Sequence, residues 1–272
     1  MRAALLEDLA HGNDLTTDAI VPSDARAQAR IVAREAGVVA GVDASMLVFT
    51  LLDPDVSIDV HLHDGERIAA GASLATIRGR ARAMLTGERT MLNLLCHLCG
   101  IATATRALVD AIAGTRAQIV DTRKTTPGLR ALEKYAVRCG GGGNHRFGLD
   151  DAVLIKDNHF ALAGSIHGAV AAVRARVGHM VKIEVEVDTI EQLHEALAEP
   201  IDAVLLDNMT PIELTEAVGL VGGRVLTEAS GGVRRETVRA IAETGVDLIS
   251  VGRLTHSAPA LDLGLDVDLG KE

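Results

Sequence analysis

From residue 116 onward the apolar residues come in short runs, each closed by polar or glycine positions and followed by a helical stretch. The runs read "AQIVDTRK", "DAVLIKDN", "VKIEVEVD", "IDAVLLDN", "RVLTEASGG" and "VDLISVGRLT". Stretches such as "IEQLHEALA" and "ETVRAIAETG" lie between them with helical spacing. The last three runs start about 22 residues apart, the spacing of β/α units. Strands alternating with helices predict a parallel sheet. This many units predicts a complete or partial (β/α) barrel, with an open doubly wound sheet as the structural alternative.

Residues 1–115 follow another pattern. Glycines punctuate two strand-like stretches, "ARIVAREAGVVAGV" and "VSIDVHLHDGERIAAGASLATIRG". The second holds Asp64-Gly65, a hairpin signal. It lacks the tip lysine that a lipoyl or biotinyl carrier needs, so a structural β domain is predicted. A helix follows in "TGERTMLNLLCHLCG", with Thr86 as N-cap and Gly100 as its end, then a second from Thr103 to Ala113. The boundaries expected are 1–115 for the first domain and 116–261 for the barrel. The tail, about 262–272, is a candidate to return to the first domain.

Composition narrows this picture. Hydrophobic residues make up 48% of the 272, enough for a core, and aromatics only 1%, so that core must be aliphatic. The net charge of −10 argues against a nucleic acid or an anionic membrane surface as partner. No apolar run approaches the roughly 18 residues that cross a bilayer. "MRAALLEDLAHGNDL" meets acids and a glycine too early for a secretory signal. Three cysteines fit a reducing compartment, and a cytoplasmic location is expected. Cys96 and Cys99 form a CxxC, but no second pair exists and their spacing puts them on an apolar helix face, so they read as core. His61 and His63 in "HLHDG" read as surface.

In a barrel, functional residues gather at the C-terminal ends of the strands. Those ends carry Arg123 and Lys124, then Lys156, Glu186, Asp207, Ser230 with Gly231 and Gly232, and Gly252. In "VKIEVEVD", Ile183, Val185 and Val187 take one face; Lys182, Glu184 and Glu186 take the other, toward the barrel interior. Lys182 and Glu184 are expected to pair with each other, leaving Glu186 for a ligand or metal. Segment 121–157 is locally positive. Its "TTPGLRALEKYAVRCGG" predicts a helix capped by Thr126, with Pro127 in the first turn and Gly140 at the end. Gly140–Gly143 would then let the chain pass close to a ligand and bring His145 and Arg146 beside Arg123 and Lys156. Such a cation cluster suits carboxylates or phosphates, although no P-loop is present. Glu186 and Asp207 opposite it suit Mg²⁺ bridging to a phosphorylated ligand. Lys156 as a Schiff-base lysine is a reading from another class.

"DTRKTTPGLRALEKYAVRCGGGGNHRFGLDDAVLIKDNH" closely resembles the signature of the quinolinate phosphoribosyltransferase family, or nicotinate-nucleotide pyrophosphorylase (carboxylating). So do "GERTMLNLLCHLCGIAT", "EVEVDT", "VLLDNM", "EASGG" and "SVGRLTHSAPALDLGLD", in the family's order over nearly the whole chain. The resemblance implies an N-terminal α/β sandwich domain and a C-terminal open α/β barrel. It implies conversion of quinolinate and phosphoribosyl pyrophosphate, with Mg²⁺, into nicotinate mononucleotide, pyrophosphate and CO₂ for NAD biosynthesis. Carried over by motif, Arg123, His145, Arg146 and Lys156 would hold the quinolinate carboxylates. Lys124, Glu186, Asp207, Ser230, Gly231 and Gly252 would serve the phosphoribosyl side. Lys124, Glu186 and Asp207 would be catalytic, with the two acids near the metal. Arg89, in "ERT", would reach the neighbour's site in a homodimer. Asn13 and Arg253 depart from the family's usual glycine and small residue. A paralogous phosphoribosyltransferase of the same fold is the alternative within that resemblance.

Overall fold

The computed structural model describes residues 1–10 and 12–268, so the last four positions of the expected tail lie outside it. The chain forms two compact units. One comprises Met1–Arg106, Ala131–Gly141 and the C-terminal stretch from Ser257; the other comprises Ala107–Arg130 and Gly142–His256.

The first unit opens with α1 (Arg2–Leu9), α2 (Leu15–Ile20), β1 (Arg26–Ala33), β2 (Gly37–Val38) and α3 (Val42–Leu52). It continues with β3 (Ser57–Val60), β4 (Arg67–Ile68), β5 (Ser73–Arg80) and α4 (Ala81–Ala111), whose end enters the second unit. A four-stranded antiparallel sheet runs β12-β1-β5-β3, where β12 is Leu263–Asp268, the chain's last described strand. Alternation puts Ala29 and Ile31 of β1 on the buried face and Arg30 outside. The buried face packs with Met46 and Phe49 of α3 and Met84, Met91 and Leu95 of α4 into the aliphatic core that the composition requires.

Two features differ from the expectation. Asp64-Gly65 makes a turn, with Gly65 at φ +90°. However, β3 and β4 do not pair: β3 joins β5 and β4 joins β2. Asp64 instead accepts the N–H groups of Gly41 and Val42. The two expected helices are also one, α4, of 31 residues. Thr86 is not its cap but lies inside it and bonds Asp14. Gly100 does not end it. A Cβ there would stand 2.1 Å from the Pro259 carbonyl oxygen, so that glycine permits a close approach. By length and composition α4 could cross a membrane, but Met84, Met91, Leu95, Leu98 and Ile101 are buried in the protein.

In the second unit, β6 (Gln118–Val120) is followed by α5 (Arg130–Cys139), β7 (Val153–Ile155), α6 (Asp157–Ala163), α7 (Ile166–Arg174) and β8 (Ile183–Val187). Then come α8 (Ile190–Leu197), β9 (Ala203–Asp207), α9 (Pro211–Val221), β10 (Leu226–Ser230), α10 (Arg235–Glu243), β11 (Leu248–Ser250) and α11 (Arg253–His256). All of α5 beyond Arg130 belongs to the first unit. The six strands form one sheet in the order β6-β11-β10-β9-β8-β7, every pairing parallel. The edge strands β6 and β7 do not pair, so the barrel is open. The helix expected from Thr126 starts only at Arg130, because Gly128 takes φ +82° and residues 127–129 form a turn.

Candidate active site

The strand ends of the open barrel converge on two cavities. One, of about 400 Å³, is lined by Arg123, His145, Arg146, Lys156, Glu186 and Glu228 among others. The second, of about 410 Å³, is lined by Ser230, Gly231, Gly232 and Gly252, and by Arg234, Arg253 and His256. Lys124, Asp207 and Ser230 line both. Every expected site residue except Arg89 therefore lines one or both cavities. Arg89 sits exposed on α4 in the first unit.

The cationic cavity is assembled from a buried acid frame. Asp121, fully buried just after β6, accepts the backbone N–H of His145 (3.0 Å) and the Asn144 amide (2.5 Å). His145 Nε2 lies 2.9 Å from Glu184 Oε2 and 3.6 Å from Glu228 Oε2. In the neutral ring its Nδ1 accepts the Arg146 N–H at 2.7 Å, which puts the ring proton on Nε2, directed at Glu184. Burial pulls the His145 pKa down, but the Glu184 bond and the charges of Glu228 and Glu184 outweigh it, and the net direction is up. Burial, with the charge of Glu184, pushes the Glu228 carboxyl up to about 7 against His145 and Ser250. Its Oε1 is buried without a hydrogen-bond partner among the described residues, consistent with a carboxyl that resists ionisation. The expected Lys182–Glu184 pair does not form. Lys182 reaches Asp202 at 2.8 Å, and Glu184 holds His145 instead.

The cations themselves are only partly satisfied. Burial and the neighbouring Arg123 charge lower the pKa of Arg146, against Asp151 and Glu184, though a guanidinium remains charged. Arg146 bonds the Ala152 carbonyl at 3.1 Å. Arg123 Nε is buried with no hydrogen-bond partner among the described residues. Lys156 is ion-paired with Glu186. An ion-paired ammonium has no lone pair with which to attack a carbonyl, so the Schiff-base reading gains no support. Two half-buried guanidinium groups, one with a buried unmet donor, describe a place for an anion.

The glycine run does different work from that expected. A Cβ at Gly140 would meet the Ala102 carbonyl at 2.5 Å, and one at Gly143 would meet Gln118 Nε2 at 2.8 Å. Gly143 bridges to Val120 in parallel, fastening the loop along the open edge of β6. Of the run, Gly141 takes a positive φ, +89°. The glycines thus let the chain lie tight against α4 and β6, which aims His145 and Arg146; they do not line the cavities.

The second cavity has three glycines among its lining residues, beside Lys124, Arg234 and Arg253. Gly231 and Gly232 take φ +99° and +60°, and Gly252 leaves room for the Lys124 stem, which a Cβ would meet at 2.8 Å. Such a concavity of bare backbone beside a lysine suits a phosphate. Among the residues passed over in the sequence are Glu228 and Asn208, which line the cavities, and the buried Asp121, which holds the backbone of His145. Glu228 was detectable, as a lone acid in the apolar run "RVLTEAS", two positions before Ser230 and therefore on the same face.

Among the described residues, the one group of three His, Cys, Asp or Glu side chains converging as metal ligands is His145, Glu184 and Glu228. The Nε2 proton directed at Glu184 argues against an ion there. Glu186 and Asp207, at the ends of neighbouring strands and both facing the cationic cavity, are hard oxygen donors. Two carboxylates make no cage, but they fit Mg²⁺, which keeps water and takes phosphate oxygens.

Fold and cavities define an open-barrel protein shaped to hold a multiply anionic small molecule next to a phosphate. Residues 14–99 match the quinolinate phosphoribosyl transferase N-terminal domain, and residues 101–266 match the C-terminal domain of the same name. A curated relative from Mycobacterium leprae, named nicotinate-nucleotide pyrophosphorylase [carboxylating], is 50% identical over 98% of this chain and 95% of its own. A probable enzyme of that name from Bacillus subtilis is 47% identical over 98% and 92%. The crystal structure of NadC from Streptococcus pyogenes superposes with a TM-score of 0.94 at 42% identity, covering 98% of this chain and 94% of that one. The chain belongs to the quinolinate phosphoribosyltransferase family.

Proposed function

We propose that this chain is a quinolinate phosphoribosyltransferase of NAD biosynthesis. It joins quinolinate to phosphoribosyl pyrophosphate and releases pyrophosphate and CO₂ to give nicotinate mononucleotide. The observation that carries the reading is the pairing of Arg123, with its unmet buried Nε, and Arg146 next to a glycine-built cavity that shares Lys124 and Asp207. A dicarboxylate suits the first cavity and a phosphorylated sugar the second.

In this reading Arg123, His145, Arg146 and Lys156 hold the two carboxylates. The ring nitrogen is already a nucleophile, so the residues act by orienting it toward the anomeric carbon. Negative charge grows on the departing pyrophosphate, where Lys124, at the junction of the cavities, stabilises it. Glu186 and Asp207 would hold Mg²⁺, which supplies charge neutralisation at the phosphates. Glu186 is then shared between that role and Lys156. Loss of the carboxylate next to the ring nitrogen completes the reaction. We assign the enzyme to the cytoplasm, a reading its three free cysteines support.

The working form is read as a homodimer in which Arg89 serves the neighbouring site. Arg89 is exposed, and its guanidinium makes no hydrogen bond or ion pair with the described residues. The functional test is direct. With quinolinate, phosphoribosyl pyrophosphate and Mg²⁺, the protein should form nicotinate mononucleotide and CO₂ in equal amounts, and turn over nicotinate far more slowly. Equal use of both acids would sink the dicarboxylate reading.

A further inference from the structure

Asn208 follows Asp207 at the end of β9 and lines the phosphate cavity with it. Among the described residues it is the one non-glycine with positive φ, at 54°. Asparagine tolerates that conformation better than most residues, and such outliers cluster where a side chain must be aimed. Three contacts hold it. Its N–H donates to the Ser230 carbonyl at 2.9 Å, tying the end of β9 to the end of β10. Its Nδ2 donates to Asp207 Oδ2 at 2.6 Å. Its Oδ1 occupies the space over Gly231, where a Cβ would stand only 2.1 Å away. Asn208 and Gly231 are therefore interlocked, and the second makes room for the first.

A carboxylate with one oxygen held by an amide keeps the other in a fixed direction. We propose that Asn208 is a positioning residue for the phosphoribosyl half of the site: it fixes the Asp207 carboxylate toward the phosphates of the ligand and their cation. The proposal rests on the functional reading above. The side chain must accept a left-handed backbone, donate one N–H and carry no charge. Aspartate at 208 keeps the size but points a second acceptor at Asp207. Glycine keeps the backbone and loses the donor.

The test measures phosphoribosyl pyrophosphate binding by calorimetry in Mg²⁺, its Mg²⁺ dependence, quinolinate binding and Tm, in wild type, Asn208→Asp and Asn208→Gly. Losing a charge-assisted bond should weaken phosphoribosyl pyrophosphate roughly 10- to 150-fold in Asn208→Asp and by about 10-fold in Asn208→Gly. The Mg²⁺ midpoint should rise in both, with quinolinate affinity and Tm nearly unchanged. Variants that bind phosphoribosyl pyrophosphate as wild type does overturn the proposal alone. So does an equal loss of both ligands, which a merely structural role would produce. A wild-type chain that binds no phosphoribosyl pyrophosphate overturns the functional reading, and this proposal with it.

Discussion

The two cavities at the barrel mouth are made of different materials. The first is built from long charged side chains, Arg123, His145, Arg146 and Lys156, braced from behind by the buried acids Asp121, Glu184 and Glu228. The second combines three glycines, Gly231, Gly232 and Gly252, which bare the backbone, with the side chains of Lys124, Asp207 and Asn208. The first recognises charge by placing charge, and it needs a frame because like charges repel. In the proposed function the second takes phosphate where its glycines leave the backbone bare. A substitution should therefore damage the first by deleting charge, and the second, at its glycines, by adding atoms.

The largest expected effect tests whether the halves are separable. Arg146→Ala should weaken quinolinate binding roughly 10- to 150-fold, the cost of a charge-assisted bond, and largely spare phosphoribosyl pyrophosphate. Asp207→Asn should do the reverse, weakening Mg²⁺-dependent phosphoribosyl pyrophosphate binding. Calorimetry with each ligand on both variants checks the crossed pattern. Loss of both ligands in either variant would erase the distinction.

Adding atoms is the sharper probe of the second cavity. Gly231→Ala places a methyl 2.1 Å from Asn208 Oδ1 at φ +99°. We expect about a 10-fold rise in the KM for phosphoribosyl pyrophosphate, with quinolinate affinity little changed, because the strained contact displaces the backbone that faces the phosphate. Steady-state kinetics with each substrate varied in turn would show it. An unaltered KM would mean that this stretch yields without affecting the ligand.

The same contrast explains what was legible in the sequence. Charged residues closing apolar strands announced the first cavity, and the period of those strands announced the parallel sheet. Glycines are ambiguous, since they permit a ligand's approach, a left-handed turn or tight packing. Gly140 and Gly143 serve packing, whereas Gly231 and Gly232 line a cavity, and no local pattern separates the pairs. Gly100 was misread for the same reason, because its need comes from Pro259, far away in the chain. Glu184 was placed on the correct face but given the wrong partner. Pairing across a barrel depends on loop delivery, which strand alternation does not encode.

Arg89 extends the comparison beyond one chain. If it serves a neighbour's site, Arg89→Ala and Arg146→Ala damage that site from different chains. In a two-fold dimer, a hybrid then carries one site with both lesions and one with neither. Random mixing makes about half the dimers hybrids, so roughly a quarter of wild-type activity should return. Co-refolding the two inactive variants, with separately refolded controls, measures this. No recovery from hybrids confirmed by mass spectrometry would confine Arg89 to its own chain.

The smallest effect concerns the frame itself. Glu228 titrates at about 7 in the fold against an ordinary value of 4.5, because it is buried beside Glu184. Between those values the folded chain holds a proton that the unfolded chain has lost. Stability from this group is thus fully present below about pH 4.5 and is lost as pH rises through 7. Glu228→Gln keeps the shape and cannot ionise, so it removes that loss. The variant should gain stability relative to wild type as pH rises from 5.5 to 8, by about 1–2 kcal/mol after allowing for His145, whose positive charge favours the ionised form. Urea denaturation at both pH values gives the difference directly. A relative stability that stays flat with pH would mean that Glu228 is ionised throughout, held by the His145 imidazolium, and that the acid frame is a salt bridge rather than a carboxyl kept neutral by burial.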